Sequence, residues 1–118
     1  MRYLLPFLLF VTTFSAQADE WTQADTSRQT VYTVLHVIDW RQTIDIARHP
    51  EQQEMNPVLG AHPNNSRINT YFATTLAAHY LIAKAFPAEY RKAFQYVTIG
   101  VEASVVQSNF ALGLSVGF

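Results

Sequence analysis

The sequence predicts an all-α protein: a small bundle of three helices, with a long Pro/Asn-containing loop between helices 1 and 2 and an extended C-terminal tail. Three observations lead there. Apolar residues recur at helical spacing over about 29–48, 67–85 and 88–110. Pro50 and Pro87 stand where those runs break, as expected of a residue that cannot supply a helix amide. The chain has 118 residues, enough for one core and too few for two.

Residues 1–18 have the form of an export signal: Arg2 as a minimal basic region, an apolar run from Tyr3 to Phe14, and Ala16-Gln17-Ala18 as a small-x-small cleavage site. The apolar run is shorter than the roughly 20 residues that cross a bilayer as a helix, so a cleaved signal is favoured over an anchor. Residues 19–118 then form the single helical domain. Their mean hydropathy is about −0.2, so membrane insertion is not forced.

The segment from Asp19 to Arg28 reads as a flexible lead-in, with Asp25, Thr26 and Ser27 as possible caps. In helix 1, Val31, Val34, Leu35 and Ile38 lie at helical spacing, and Val37, Trp40 and Ile44 widen the apolar surface. A narrow polar strip of His36, Asp39 and Thr43 remains, with Gln42 beside it. Such a helix belongs between other elements or at a bilayer. The loop after Pro50 carries Pro57, Gly60 and Pro63, and it is longer than most compact domains use. Asn64, Asn65 and Ser66 offer caps for helix 2.

On helix 2, Ile68, Phe72, Leu76, His79, Ile82 and Phe86 share one side, while Ala73, Ala77 and Ala78 make a small-residue side that another helix could approach. Pro87 suits the start of helix 3, Glu89 suits its first turn, and the short linker implies a helical hairpin. Helix 3 carries a polar stripe of Gln95, Thr98, Glu102 and Asn109. Val97, Ile99, Val101, Ala103 and Val105 also alternate as a strand would, so residues 96–118 leave helix and β-hairpin both open. Phe110, Leu112, Leu114, Val116 and Phe118 alternate strictly and read as an extended tail. A terminal phenylalanine behind such alternation is also found in outer-membrane barrels, but the chain is too short for eight strands.

Composition excludes several functions. The net charge is −1 and no basic patch exists, so nucleic acid is not an expected partner. Without cysteine there can be no disulfide, thiolate metal site or cysteine nucleophile. Ser66, Ser104 and Ser108 lie in no Gly-x-Ser-x-Gly setting, and the glycines form no phosphate loop.

The chemically suggestive residues are His36, Asp39, Glu54, His79 and Glu102. His36 and Asp39 are three apart and share a helical face, so with His79 they could bind a divalent transition metal, aided by Glu54 or Glu102. No recurring ligand pair supports that alternative. The favoured reading is a structural or binding cluster of Asp39, Thr43, Glu54, Asn56, Glu102 and Asn109, because buried ionisable groups are costly unless paired. It needs no cofactor. His49 and His62 lie in the loop beside prolines, and Arg41 with Asp45 is read as an exposed or interfacial ion pair.

Asp39-x-x-x-Thr43, Glu54-x-Asn56-Pro57-x-Leu59-Gly60-x-x-Pro63 and Asn69-x-Tyr71-Phe72, with Tyr96-Val97-x-Ile99-Gly100-Val101 running on to Asn109, resemble a set of short uncharacterised bacterial and phage-encoded membrane-associated proteins. The resemblance implies that Asp39, Thr43, Glu54, Asn56 and Pro57 act as one structural or binding unit. The expectation is a small exported helical protein, structural or accessory rather than enzymatic. It would sit at the periplasmic side of the inner membrane or within it, with an unknown protein or the membrane as partner.

Overall fold

The computed structural model describes residues 20–47, 58–59 and 63–113. Among these residues all regular structure is helical: α1 is Gln23–Ala47, α2 is Asn65–Ala85 and α3 is Ala88–Ala111. The leader, most of the loop and residues 114–118 of the tail lie outside the described residues, and so do Glu54, Asn56, His49 and His62.

Helix α1 starts earlier than the expected Gln29, and the reason is local. The Thr22 amide donates to Asp25 Oδ2 at 2.9 Å, and the Asp25 amide donates to Thr22 Oγ1 at 3.2 Å. This reciprocal capping box satisfies donors that the first turn would otherwise leave open, so the helix nucleates at Gln23. The segment read as a flexible lead-in is therefore mostly the first turns of α1.

Asn64 caps α2, accepting from the Arg67 amide at 2.8 Å. The Arg67 guanidinium reaches back to the Val58 carbonyl at 2.8 Å, tying the Val58–Leu59 turn to the same end. Pro87 precedes α3, and that helix continues through the alternating stretch to Ala111, where a turn places Gly113 at φ +85°. A left-handed conformation of this kind suits glycine.

Contacts between elements set the directions. Asp25 meets Arg91 and Gln42 meets Val106, so α1 and α3 run parallel. Gln29 meets His79 and Trp40 donates to Asn69 Oδ1 at 2.8 Å, so α2 runs antiparallel to α1. Helix α1 packs mostly on α3 and less on α2, while α2 and α3 touch least, making α1 the central element. The hairpin expected of α2 and α3 is thus held together largely through α1.

The apolar core is small. Leu59, Ile68 and Phe72 are buried, with Trp40, Ile44 and Tyr71 packed against them. Tyr32, Ile46, Ala83 and Val106 are buried outside that cluster, and much of the remaining interior is polar: Asp25, Gln29, His36, Asp39, Gln42, Thr43, Asp45, His79, Arg91 and Gln95 are all buried. Asp45, read as surface or interface, is among them, and Arg41 is half-buried. By contrast Ala73, Ala77 and Ala78 are exposed, so among the described residues no helix uses the small-residue side of α2.

Candidate functional site

A continuous polar seam runs between α1, α2 and α3 for most of their length. At its lower end lies Arg91, 1 % exposed. Its Nε donates to the Ala83 carbonyl at 2.7 Å, and its Nη2 donates to the carbonyls of Phe86 at 3.1 Å and Lys84 at 3.4 Å. Its Nη1 donates to Asp25 Oδ2 at 2.9 Å and to the Glu20 carbonyl at 3.4 Å. A guanidinium has five N–H donors, and each finds an acceptor. Three of those acceptors lie at the C-terminal end of α2, where carbonyls lack helical partners and positive charge is favoured. The indole of Trp21 covers the group, 5.1 Å from the guanidinium carbon.

Asp25 is the counter-charge, and Arg28 binds its other oxygen. Burial acting alone would raise the Asp25 carboxyl. The Thr22 amide, the Arg91 guanidinium and the Thr22 side chain outweigh burial and hold it below the usual carboxylate range.

One layer up, the hydrogen bonds form a chain with a single direction. Arg28 Nε donates to Gln95 Oε1 at 2.7 Å, and Gln95 Nε2 donates to Gln29 Oε1 at 3.3 Å. Gln29 Nε2 donates to His79 Nδ1 at 3.0 Å. His79 Nε2 lies 2.7 Å from Thr98 Oγ1, whose own proton goes to the Phe94 carbonyl at 2.9 Å. The Thr98 oxygen therefore accepts, His79 carries its proton on Nε2, and Nδ1 is an acceptor. Gln95 also donates to the Asp25 carbonyl at 3.1 Å, which fixes its amide against reversal. Burial, then the proximity of His36, lowers the His79 pKa to about 4, with Glu102 opposing. The neutral ring stacks on Tyr32 at 3.5 Å and on Phe94 at 4.6 Å between centroids.

The middle layer holds His36 and Glu102. His36 Nε2 faces Thr75 Oγ1 at 2.9 Å and the Phe72 carbonyl at 3.2 Å, and Nδ1 faces Glu102 Oε1 at 3.2 Å. The Tyr32 hydroxyl is 3.4 Å from the same Nδ1. Burial first, then the nearby Glu102 carboxylate, raises the Tyr32 phenol above its ordinary value. Among the described residues, Glu102 Oε2 is the buried side-chain polar atom without a hydrogen-bond partner.

Thr75, His36 and Glu102 superficially resemble a nucleophile, base and acid. The protons run the wrong way for that chemistry. Thr75 donates its hydroxyl proton to the Tyr71 carbonyl at 2.8 Å, so Nε2 of His36 must be the donor between them. A base poised to deprotonate Thr75 would need a lone pair there. Ser66, Ser104 and Ser108 are exposed on helical surfaces.

The upper layer gathers three residues of the expected cluster. Thr43 Oγ1 donates to the Asp39 carbonyl at 2.8 Å and approaches Asp39 Oδ1 at 3.4 Å. Asn109 Nδ2 lies 3.4 Å from Asp39 Oδ1 and 2.9 Å from Gln42 Oε1, while Gln42 Nε2 reaches the Val106 carbonyl at 3.3 Å. Asp39, Thr43 and Asn109 are thus brought together around the fully buried Gln42. Glu102 pairs with His36 in the layer below instead of joining them.

The residues considered for a metal are separated by their bonding. Both ring nitrogens of His79 are engaged by Gln29 and Thr98, and both of His36 by Thr75, Phe72 and Glu102. Among the described residues no group of three or more His, Asp or Glu is placed to hold a metal ion. Among the described residues, two of the open clefts flank the seam. The larger, about 530 Å³, is lined by Leu59, Arg67, Tyr71 and Thr75, and the smaller, about 460 Å³, by Trp21, Gln29, Thr33 and Tyr80.

Sequence reasoning missed the Arg91–Asp25 pair and the run of side chains above it. Thr22-Gln23-Ala24-Asp25 is a capping-box pattern and would have placed Asp25 inside α1. Nothing local marks Arg91. No protein-family model, curated protein or solved structure matches this chain.

Proposed function

We propose that the chain is a small exported helical protein without catalytic activity, serving as a structural or accessory interaction protein at the periplasmic side of the inner membrane. One observation carries the reading: much of the interior is polar while apolar residues stand outside. Among the described residues, ten buried polar or charged side chains share the interior with a small apolar core, while Leu81, Val97 and Val101 are each more than half exposed. Outward apolar faces of this kind mark interaction surfaces.

Charge placement supports the same reading. Between Arg67 and Lys84, helix α2 has no Asp, Glu, Lys or Arg, and after Lys92 the remainder of α3 has only the inward-turned Glu102. No helix among the described residues is long and apolar enough to cross a membrane. Contact with lipid or with a membrane protein through these faces is therefore the proposed mode, with export by the 1–18 leader. The unit of Asp39, Thr43 and Asn109, which we extend to Glu54 and Asn56, fixes the helices that carry the surface.

Fractionation tests it. The full chain expressed in a Gram-negative host should lose its leader, resist release by osmotic shock, and sediment with inner membranes until detergent is added. Recovery of unprocessed protein in the cytosol, or of free protein in the shock fluid, would overturn the proposal.

A further inference from the structure

We infer that the outward face of α3 is occupied by the same face of a second copy of this chain, with Gly100 at the closest approach of the two helices. The inference rests on the reading of the outer faces as interaction surfaces and names the partner of one of them.

Gly100 is the first reason. A Cβ added there would meet nothing within 4 Å, so the fold of one chain has no steric need for glycine at this position. Glycine inside a helix costs about 1 kcal/mol relative to alanine. Close approach of another backbone supplies the missing reason. The surrounding side chains form a ridge beside that notch: Tyr90, Val97, Val101 and Val105 follow one another at intervals of seven, four and four residues and are 59 %, 66 %, 57 % and 37 % exposed. A ridge beside a groove can pack against its own copy.

Charge is the second reason. In a two-fold contact the residues nearest the axis meet their own duplicates, so a charge there would repel itself. The α3 face beyond Lys92 carries none, because Glu102 turns inward to His36 at 3.2 Å. The third reason is size. Helix α3 has 24 residues. Half the lateral surface of a helix about 36 Å long and about 11 Å across is roughly 600 Å², comparable with the roughly 800 Å² per partner of a standard interface.

Sedimentation of the mature chain in mild detergent, with the detergent contribution matched out, tests the pairing. The wild type should have the mass of a dimer. Gly100→Leu should weaken association by about tenfold or more, with helicity and melting temperature kept, since the added side chain has room in the monomer. A second measurement does not depend on that variant: with no native cysteine present, Val101→Cys should form a disulfide dimer under mild oxidation, whereas Thr74→Cys on the outer side of α2 should not. A monomeric wild type at every concentration, an unchanged mass for Gly100→Leu, or equal cross-linking of the two cysteine variants would overturn the inference. Membrane sedimentation is read separately, so a monomer that still fractionates with membranes removes the pairing and leaves the proposed function standing.

Discussion

Arg91 Nη1 lies 2.9 Å from Asp25 Oδ2, joining the first turn of α1 to the first turn of α3 across a sequence separation of 66 residues. Because the same guanidinium also occupies carbonyls at the end of α2, one side chain ties all three helices together. Breaking a buried pair leaves its partner uncompensated, so Arg91→Ala should destabilise the fold by about 3–5 kcal/mol. Arg91→Lys should recover little of this, since an ammonium has three donors and no planar fork. Chemical denaturation followed by circular dichroism measures both. A lysine variant as stable as wild type would contradict the role given to the five donors.

Acid should weaken the protein in two stages. His79 has a folded pKa near 4 and a reference value of 6.5, so the unfolded chain takes up this proton first as pH falls. Its contribution is therefore complete above about pH 6.5 and lost down to about pH 4, amounting to at most roughly 3 kcal/mol. Asp25 has a lowered folded pKa, so its contribution is present above the ordinary carboxylate pKa and disappears below it. Melting temperatures between pH 7 and pH 3 should fall throughout, and His79→Gln should flatten the upper part of that curve.

The direction of the chain through Gln29 is testable by a single isosteric change. Gln29→Glu replaces the amide that donates to His79 Nδ1 with an oxygen that can only accept while ionised. His79 should then hold a second proton more readily, and its titration, followed by imidazole NMR, should move to higher pH. An unmoved titration would mean that Gln29 does not donate to the ring.

In the upper layer, Asn109→Ala should cost about 1–2 kcal/mol, because it leaves Gln42 Oε1 and Asp39 Oδ1 short of a donor in a buried setting. Combined with Gln42→Ala, the loss should be less than the two separate losses added, as for residues sharing one network. A double-mutant cycle on urea midpoints measures this. Strict additivity would argue against a shared unit.

Chelation addresses the metal alternative. If His36, Asp39 and His79 serve the helices and not an ion, the melting temperature should be unchanged by EDTA, and elemental analysis of protein purified without chelator should find no stoichiometric transition metal. A bound equivalent of zinc, manganese or iron would reverse that assignment.

The helices were legible because each keeps an apolar rhythm and breaks at a proline or an asparagine cap. The grouping of Asp39 with Thr43 and Asn109 was legible for a related reason: polar residues confined to a strip on otherwise apolar helices must meet other polar residues. Position along the bundle was not legible. Placing Glu102 beside His36 and Asn109 beside Asp39 requires the relative shift of α1 and α3, which no local pattern records. Arg91 was hidden because it reads as an ordinary surface cation in a helical first turn; only the fold puts Asp25 and the carbonyls of α2 around it. The alternation from Val97 to Val105 imitates a strand because α3 is apolar on its outer face and turns its polar residues inward, so the usual apolar-inside, polar-outside period is obscured. Glu54 and Asn56 lie outside the described residues.

The one-way line from Arg28 through Gln95, Gln29 and His79 to Thr98 carries an evolutionary consequence. Between Arg28, which only gives, and Thr98 at the far end, each member gives to the next and takes from the one before, so a lone replacement of Gln95, Gln29 or His79 strands both neighbours, and no amide can swing round to compensate unless every other turns with it. Divergence at these five positions should proceed by joint exchange, with glutamines 29 and 95 and the imidazole at 79 kept or lost as a set. Pairwise covariation among descendants of this chain would then trace the seam more faithfully than conservation of any one member.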